Sequence, residues 1–316
     1  TPYLPDATKF EKVAGTDLDS GLVIREKATG SQYVWVEVPR TSEVYPTAGV
    51  DITNFTDDAY TKIENDLHTY TNDYRNGTQY SDVYYKDSEN GWFTDANKYN
   101  ELKQKMLKSV YQNGGFWVGR YEAGIEVNRT VEGTATTKPL SKENLYPYNY
   151  VTRTQAKVLA EQVESGSCTS SLMFGVQWDL ILKYIETKNP AQKSKLLTNS
   201  TTIGNYYDNL WNITNINAKY STNYGSSFTA CPKPKIENAS ILLTTGSDTS
   251  FSLMNIYDIA GNVWEWTLEK TSNDDKPGAY RGGNYNDIGS AYPASYRNYR
   301  NTSISDHTLG FRLSLY

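Results

Sequence analysis

The sequence is poor in the residue types on which much enzyme chemistry depends. Its 316 residues include only two cysteines, Cys168 and Cys231, and two histidines, His68 and His307. Two cysteines allow at most one disulfide, and the sequence leaves open whether they pair or remain buried free thiols. Two histidines exclude a three-histidine metal site, and no G-x-S-x-G sequence marks a nucleophilic serine. Carboxylates are plentiful, but none stands in a recognisable acid/base pair.

Long apolar runs and concentrations of positive charge are also missing. No stretch of about 18 apolar residues occurs, so no membrane span is predicted. The net charge of −5 comes without clustered Lys and Arg, which argues against a nucleic-acid groove or an anionic membrane surface as partner. With 27 Tyr and 7 Trp, the chain can build a sizeable core that relies more on aromatic rings than on Leu.

The composition changes between residues 284 and 307, which we call the display segment. Four of its 24 residues are Tyr, four are Asn and four are Ser, and the large aliphatic residues are Ile288 and Ile304. Such a run has no sustained apolar face for a core strand, yet it is too aromatic for a disordered linker. Tyr mixed with Ser, Asn and Gly is typical of antibody combining sites. A binding surface and a Tyr-rich loop without ligand both remain open from composition alone.

The display segment also lacks Lys, Glu, Gln, Trp and Met. These types make up 56 of the 316 residues, so their absence over the segment has a chance of roughly one in a hundred against the chain's own composition. They share one property: none can be reached when an asparagine codon is scrambled at both of its adenines. Every residue of the segment is either reachable in that way or can be a fixed framework residue.

Sequence landmarks flank the display segment on both sides. They are AGNVWEW at 260–266, RGG at 281–283 and GFR at 310–312. The landmarks resemble the formylglycine-generating-enzyme type of C-type lectin fold. The display segment between them resembles the variable region of a diversity-generating retroelement target protein. Weaker similarity at 33–39, 116–122 and 172–178 extends the resemblance over roughly residues 30–316, with strong motifs only after residue 255.

This resemblance implies an α+β C-type lectin fold, in which two helices flank a twisted antiparallel sheet. We expect residues 1–316 to form a single domain, with a polar lead-in at 1–20 and insertions at 45–113 and 187–250. Retroelement-diversified proteins are often phage receptor-binding or bacterial surface proteins. The resemblance therefore implies an extracellular, virion or cell-surface location and a macromolecular ligand, protein or glycan, on a bacterial surface.

By the same resemblance, ligand contact falls to diversified positions of the display segment. We expect these side chains to be exposed on one face, whereas Trp264, Trp266 and Phe311 should be buried beneath them, with Arg281 and Arg312 tying the strands through carboxylates or carbonyls. The predicted ligand-binding residues are Asn284, Tyr285, Asn286, Asp287, Ile288, Ser290, Ala291, Tyr292, Ser295, Tyr296, Asn298, Tyr299, Asn301, Ser303, Ser305, Asp306 and His307.

One structural calcium is a further implication of the resemblance. Its ligands would be the Asp258 side chain and the backbone carbonyls of Ile259, Gly261 and Val263, a mixture of oxygens that calcium accepts. The alternative is a metal-free turn in which Asp258 caps local N–H groups.

Catalysis is not expected. The enzymes of the resembled family use a cysteine pair between the RGG and GFR landmarks, and this chain has no cysteine in 281–316. We therefore predict a non-catalytic ligand-binding protein. The alternatives are a formylglycine-generating or oxidase-like enzyme on the same fold, and a calcium-dependent carbohydrate lectin. The lectin would need several acidic and amide calcium ligands together, and no such cluster is visible.

Hydrophobic periodicity predicts the secondary structure that supports this reading. Leu22–Ile24 and Tyr33–Val38 form a hairpin around a Gly-containing loop. Four helices are predicted, the third of them opened by a Thr152/Gln155 capping box. The residues that share one face are Tyr60, Ile63, Leu67, Tyr70 and Tyr74 in the first; Leu102, Met106 and Val110 in the second; Ala156, Leu159, Ala160 and Val163 in the third; and Trp178, Ile181, Leu182 and Ile185 in the fourth.

Overall fold

In the computed structural model, which describes residues 1–75 and 79–316, short strands alternate with helices. The strands are β1 (Phe10–Lys12), β2 (Val23–Glu26), β3 (Gln32–Glu37), β4 (Tyr80–Ser81), β5 (Gly115–Gly119), β6 (Gly124–Ile125), β7 (Tyr146–Pro147), β8 (Ser170–Leu172), β9 (Trp211–Ile213), β10 (Lys219–Ser221), β11 (Thr229–Ala230), β12 (Lys233–Lys235), β13 (Leu242–Leu243), β14 (Ser252–Leu253), β15 (Ile256–Tyr257), β16 (Trp264–Thr271), β17 (Gly278–Arg281), β18 (Arg297–Arg300), β19 (Leu309–Gly310) and β20 (Leu313–Leu315). The α-helices are α1 (Asp57–Tyr70), α2 (Ala96–Asn113), α3 (Arg153–Ala160), α4 (Gly175–Lys188) and α5 (Lys193–Leu197).

A six-stranded antiparallel sheet brings the end of the chain next to its beginning. Its order is β1-β2-β3-β5-β20-β8, so the last strand of the chain lies between two early ones. The predicted hairpin is confirmed: β2 pairs with β3, and Val23 stands opposite Val34. Trp35 and Trp117 face each other across β3 and β5 with ring centroids 5.0 Å apart. This pair places two large aromatic rings in the middle of the core.

The polar lead-in is more ordered than predicted. Residues 10–12 form the edge strand β1, and the side chain of Phe10 is fully buried. Phe10 is isolated in a polar run, so hydrophobic periodicity does not predict a strand there. The strand forms because β2 provides partners for its backbone hydrogen bonds and because the Phe10 side chain packs into the core.

The second sheet carries the sequence landmarks. Its order is β18-β17-β16-β19, with β4 also paired to β16. Landmark residues Trp264, Glu265 and Trp266 open β16, and Arg281 closes β17. β18 lies inside the display segment and pairs with β17 alone, so the segment contributes an edge strand rather than a core strand.

The helices largely follow the predicted periodicity. In α1, Ile63 and Leu67 are fully buried, but the helix ends at Tyr70, so Tyr74 is buried from a following 3-10 turn. The second helix begins after the cap residue Asp95, its side chains Tyr99 and Met106 join the central core, and it ends at Gly114.

The third helix has the predicted capping box, with the Gln155 N–H donating to Thr152 Oγ1 at 3.1 Å. It stops at Ala160, before the predicted Val163. All four predicted positions of α4, from Trp178 to Ile185, are at most 1% exposed. No helix among the described residues is long and apolar enough to cross a membrane.

The 187–250 insertion has more structure than the predicted loops. It contains α5 and strands β9 to β13, and residues including Trp211, Ile213 and Phe251 form a small core of their own. Cys231 belongs to this small core, whereas the Sγ of Cys168 is hydrogen-bonded to the hydroxyl of Tyr3 at 3.1 Å. The two cysteines are therefore free thiols, with Cys231 buried and Cys168 half-buried.

Candidate ligand-binding face

The display segment leaves β17 through two glycines, returns to the sheet as β18 and ends just before β19. Gly283 has a φ of +79°, and a Cβ placed on it would lie 2.4 Å from the carbonyl oxygen of Tyr292. Only glycine tolerates both this backbone conformation and this approach. The segment is thus folded back on itself at its first turn.

The framework beneath the segment is buried as predicted. Trp264, Trp266 and Phe311 are exposed by 2%, 0% and 0% respectively. The indole N–H of Trp266 donates to the carbonyl of Val151 at 3.0 Å, so its polar atom is satisfied. Trp264 packs edge-on against Tyr280 with centroids 4.9 Å apart. This aromatic layer is the floor on which the segment rests.

The two landmark arginines tie the strands in the predicted manner. Arg312 donates to both carboxylate oxygens of Glu265, at 2.9 and 2.7 Å, and to the carbonyls of Gly119 and Tyr257. Arg281 donates to Asp179 at 2.8 Å and to the carbonyl of Ser295 at 2.9 Å. The first arginine joins the two sheets, and the second anchors the display segment to α4.

A third buried arginine, Arg297, was not predicted from the sequence. It lies within the display segment yet is 4% exposed, and it forms ion pairs with Asp179 and Glu269. Its guanidinium also donates to the carbonyl of Tyr74 at 2.7 Å. Although burial disfavours its charge, the two carboxylates raise the pKa of Arg297. Arg297 stands in a run that is rich in Tyr and free of Lys. Nothing in that composition distinguishes a buried structural arginine from an exposed one.

The outer side of the segment is exposed. The most exposed large side chains are Ile288 (42%), Tyr299 (41%) and Ile304 (40%). Of the predicted ligand-binding residues, the exposed ones are Asn286, Ile288, Ser290, Ala291, Tyr299, Asn301 and Ser303, and the half-buried ones are Asp287, Tyr292, Tyr296, Asn298, Ser305, Asp306 and His307.

Three tyrosines connect this outer side to the aromatic floor. Tyr292 and Tyr296 pack edge-on with centroids 4.8 Å apart, and both contact Trp264. Tyr299 lies over Tyr80 at 6.5 Å. Burial and the neighbouring Tyr292 and Tyr299 hydroxyls raise the pKa of Tyr296, so the Tyr296 phenol stays protonated at neutral pH and can donate a hydrogen bond to a ligand.

The predicted exposure is wrong for Asn284, Tyr285 and Ser295, which are buried. Asn284 accepts the N–H of Asn286 at 2.7 Å and donates to Asp287, which closes the turn after Gly283. The N–H of Ser295 donates to the carbonyl of Leu196 at 3.0 Å. These side chains shape the segment from inside, because the backbone of a folded-back loop needs local partners.

Tyr285 is the clearest correction. Its ring is fully buried in a small cluster with Leu242 and Val263, and its N–H donates to the carbonyl of Asn262 at 2.9 Å. Its hydroxyl lies 2.5 Å from Nδ1 of His307, at the other end of the segment. The pair therefore joins the first and last turns of the display segment.

Neither member of the Tyr285–His307 pair is charged at neutral pH. Burial raises the pKa of Tyr285 and lowers the pKa of His307. A neutral phenol and a neutral imidazole therefore share one hydrogen bond, and the tautomer of His307 sets which of them donates.

Residues outside the display segment border it on two sides, through contacts that no sequence pattern predicts. On the insertion side, Ser240 donates to Asn286 at 2.6 Å, and the N–H of Gly289 donates to Asp208 at 3.1 Å. On the other side, Ser305 donates to Glu132 at 3.3 Å. These contacts place Ser240, Asp208 and Glu132 directly beside the display segment.

The turn proposed to hold calcium is closed by its own hydrogen bonds. Asp258 is buried with a φ of +58°, and its Oδ2 accepts the N–H of Gly246 at 3.0 Å. The N–H of Gly261 donates to the carbonyl of Gly282, and Glu122 accepts from Asn262 and from the N–H of Val263. This is the capping arrangement of the metal-free alternative.

The charges around Asp258 nevertheless suit a cation. Burial, with a smaller contribution from the nearby Glu265, raises the pKa of Asp258 to about 7. A carboxylate with backbone carbonyls is a donor set of the type that calcium accepts. Among residues 1–75 and 79–316, however, no three His, Cys, Asp or Glu side chains are grouped to hold a metal. The fit therefore rests on Asp258 as the one carboxylate ligand.

Comparison with known proteins defines the fold. Residues 190–315, which contain all three landmarks, match the sulfatase-modifying factor enzyme 1-like domain. The fold is therefore the formylglycine-generating-enzyme type of C-type lectin fold, as predicted, an α+β fold of antiparallel sheets and flanking helices. No curated protein sequence matches the chain.

Three of the solved structures that match this chain are similar to it over about two thirds of its length. CarF has a TM-score of 0.40 with 14% identity, covering 63% of this chain and 85% of its own. PvdO from Pseudomonas aeruginosa has a TM-score of 0.36 with 14% identity, covering 64% and 80%. Treponema denticola variable protein 1 has a TM-score of 0.31 with 11% identity, covering 63% and 95%. At these identities the likeness says nothing about function.

Proposed function

We propose that this chain is a non-catalytic ligand-binding protein whose display segment is diversified by a retroelement. Its ligand would be a protein or glycan on a bacterial cell surface, and the protein itself would act on a phage virion or a bacterial surface. The fold supplies a rigid floor, and the outer side of the display segment supplies contact through Tyr rings and Ser and Asn hydrogen-bonding groups.

The observation that carries this proposal is the division of the segment into two sides. Asn284, Tyr285, Ser295 and Arg297 hold it from within, while seven predicted contact positions are exposed on the other side. Exposed side chains of ordinary surface sites can change with little effect on stability. A scaffold of this kind can therefore accept substitutions at the outer positions and keep its fold.

Catalysis finds no support in the chemistry of this face. The segment and its flanking landmarks contain no cysteine. Cys168 is hydrogen-bonded to the hydroxyl of Tyr3, and Cys231 is buried in the insertion. An oxidase assay on a cysteine-containing peptide should accordingly show no oxidised product. Product formation that is lost in Cys168→Ser or Cys231→Ser would favour the enzyme alternative.

The genetic part of the proposal is tested by the DNA around the gene. A reverse-transcriptase gene and a near-copy of the 3′ end that differs only at adenines would establish diversification. Their absence from the genome would contradict it. The differing codons should fall on exposed positions such as 288 and 299 and should spare Arg297.

The binding part is tested with fluorescently labelled protein on a panel of intact bacterial strains. The variant Ile288→Ser/Tyr299→Ser removes two exposed contact side chains, and Lys98→Gln on the distant helix α2 is the matched surface control. We expect the variant to fold normally and to lose staining of any strain that the parent stains. Equal staining by parent, variant and control would contradict a ligand-binding role for this face.

A structural calcium is proposed separately, held by Asp258 with the carbonyls of Ile259, Gly261 and Val263. When bound, it would crosslink the turn before β16 by ionic contacts. The turn lies under the display segment, since the carbonyl of Asn262 accepts the N–H of Tyr285. Its role would therefore be to stiffen the floor, and ligand contact would remain with the outer side chains.

A further inference from the structure

A cleft of about 460 Å³ opens in the 187–250 insertion, outside the display segment. We call it the side cleft. Its lining includes the side chains of Tyr207, Tyr224, Lys233, Ile236, Glu237 and Ser240. All of these positions lie outside the segment whose composition indicates diversification, so the proposed diversification would leave the cleft unchanged.

The side cleft is continuous with the display face. Ser240, on its wall, donates a hydrogen bond to Asn286 at 2.6 Å. The N–H of Tyr207 donates to the carbonyl of Asp287 at 2.9 Å. The ring of Tyr224 lies 5.3 Å from the imidazole of His307. A ligand seated on the exposed residues of the display segment is therefore within reach of the cleft.

Tyr224 is held in an unusual backbone conformation. Its φ is +59°, which is rare for a bulky residue, and its side chain is 52% exposed. A tight turn accounts for this conformation: Gly225 follows with a φ of +82°, and the N–H of Ser226 donates to the carbonyl of Asn223 at 3.2 Å. The turn connects β10 to β11 and leaves the Tyr224 side chain exposed in the lining of the cleft.

The chemistry of the lining is apolar and cationic. Ile236 is 84% exposed and lines the cleft together with Tyr207 and Tyr224. Lys235 is committed to the carbonyls of Tyr206 and Tyr207, at 2.6 and 2.9 Å, whereas Lys233 is half-exposed with its ammonium over the ring of Tyr220. Among the described lining residues, Glu237 is the one carboxylate and there is no amide side chain.

We propose that the side cleft binds an apolar or aromatic side chain that stands next to a carboxylate in a protein ligand. This inference rests on the proposed ligand-binding function and adds a constant anchor to it. Tyr224 and Ile236 would cover the apolar group, and Lys233 would pair with the carboxylate. A protein partner is favoured over a glycan because sugar hydroxyls need convergent amides and carboxylates, while exposed Tyr and Ile mark protein contacts.

The probe is the capped dipeptide acetyl-Phe-Glu-amide, titrated into the isotope-labelled protein and followed by amide chemical shifts. We expect shifts at the cleft residues and weaker binding of the capped Phe-Gln dipeptide. Lys233→Gln should cost about two- to fivefold in affinity for the Glu dipeptide and should abolish the preference for Glu. Tyr224→Ala should weaken both dipeptides by about fivefold or more.

The matched controls are Tyr60→Ala and Lys98→Gln on helices α1 and α2, which should change neither affinity. Shifts away from the cleft, no preference for Glu over Gln, or tighter binding of glucuronate than of the dipeptide would overturn the proposal. The display-face variant Tyr299→Ser should leave the dipeptide titration unchanged. If the dipeptide fails while cell binding still depends on Tyr299, the side cleft alone is disproved and the proposed function stands.

Discussion

The inner and outer sides of the display segment are built from the same few residue types but are held in different ways. On the inner side, Tyr285, Ser295 and Arg297 are at most 4% exposed and contact fixed parts of the protein. On the outer side, Ile288 and Tyr299 are more than 40% exposed. If the segment is diversified as proposed, substitutions should be tolerated at the outer positions and restricted at these anchors.

Two tyrosines make the comparison concrete. Tyr285 is packed under the segment and bonded to His307, while Tyr299 stands on the edge strand β18 with its ring over Tyr80. Fourteen positions separate them in sequence, and composition treats them alike. One is part of the scaffold, and the other is available to a ligand.

The largest effect should come from removing Arg297. Arg297→Ala leaves Asp179 and Glu269 buried with less compensating charge, and breaking a buried ion pair costs about 3–5 kcal/mol. The free energy of unfolding, measured by denaturant titration, should fall by that amount. Arg300→Ala is the matched control, because its ion pair with Asp306 is partly exposed and should contribute about 0–1 kcal/mol. Equal losses for the two variants would contradict the division into sides.

A smaller but still large loss is expected for Tyr285→Ser. The change removes a fully buried ring and should cost about 3 kcal/mol, as core truncations of aromatic residues do. Tyr285→Phe keeps the ring and loses the bond to His307, so it should cost only about 1 kcal/mol. Thermal or denaturant unfolding of both variants separates packing from hydrogen bonding. If Tyr285→Ser unfolds like the parent, the buried ring is not an anchor.

The sequence predicted what depends on local pattern. The hairpin, the capping box at Thr152 and the buried face of α4 follow from periodicity and capping chemistry, and the landmarks indicate the fold through resemblance. Arg281 and Arg312 could be predicted to connect neighbouring strands because their motifs flank the segment. In each case the information lies within a few neighbouring residues.

What the sequence could not predict depends on contacts between distant residues. Phe10 gives no periodic pattern, so its strand appears only when β2 is beside it. Tyr285 and Arg297 look like their neighbours, and their burial follows from Leu242, Asp179 and Glu269, which lie far away in sequence. The side cleft needs the turn at Tyr224 and the strand at Lys233 to be folded together.

Calcium should have an intermediate effect on stability. If Asp258 holds the ion, stabilisation follows mass action and reaches about 2.7 kcal/mol at a hundredfold excess of calcium over Kd. Chelator should then lower Tm, and Asp258→Ala should abolish that sensitivity. Staining of bacterial cells by chelated protein, well below its Tm, should persist. A Tm that is unchanged by chelator would contradict a structural calcium. Loss of staining without loss of fold would favour the calcium-lectin alternative.

The smallest effect on stability should come from Tyr299→Ser. Its ring is 41% exposed on an edge strand, so the free energy of unfolding should change by less than about 1 kcal/mol. Ligand binding should be strongly weakened by the same substitution, because rigid tyrosine rings supply most of the contact in surfaces of this composition. Staining of a bound bacterial strain should fall by about fivefold or more. Tyr299→Phe keeps the ring, so staining that survives in Phe but not in Ser assigns the contact to the ring. A strain that is stained equally by parent, Phe and Ser variants would mean that the ligand does not contact the β18 edge.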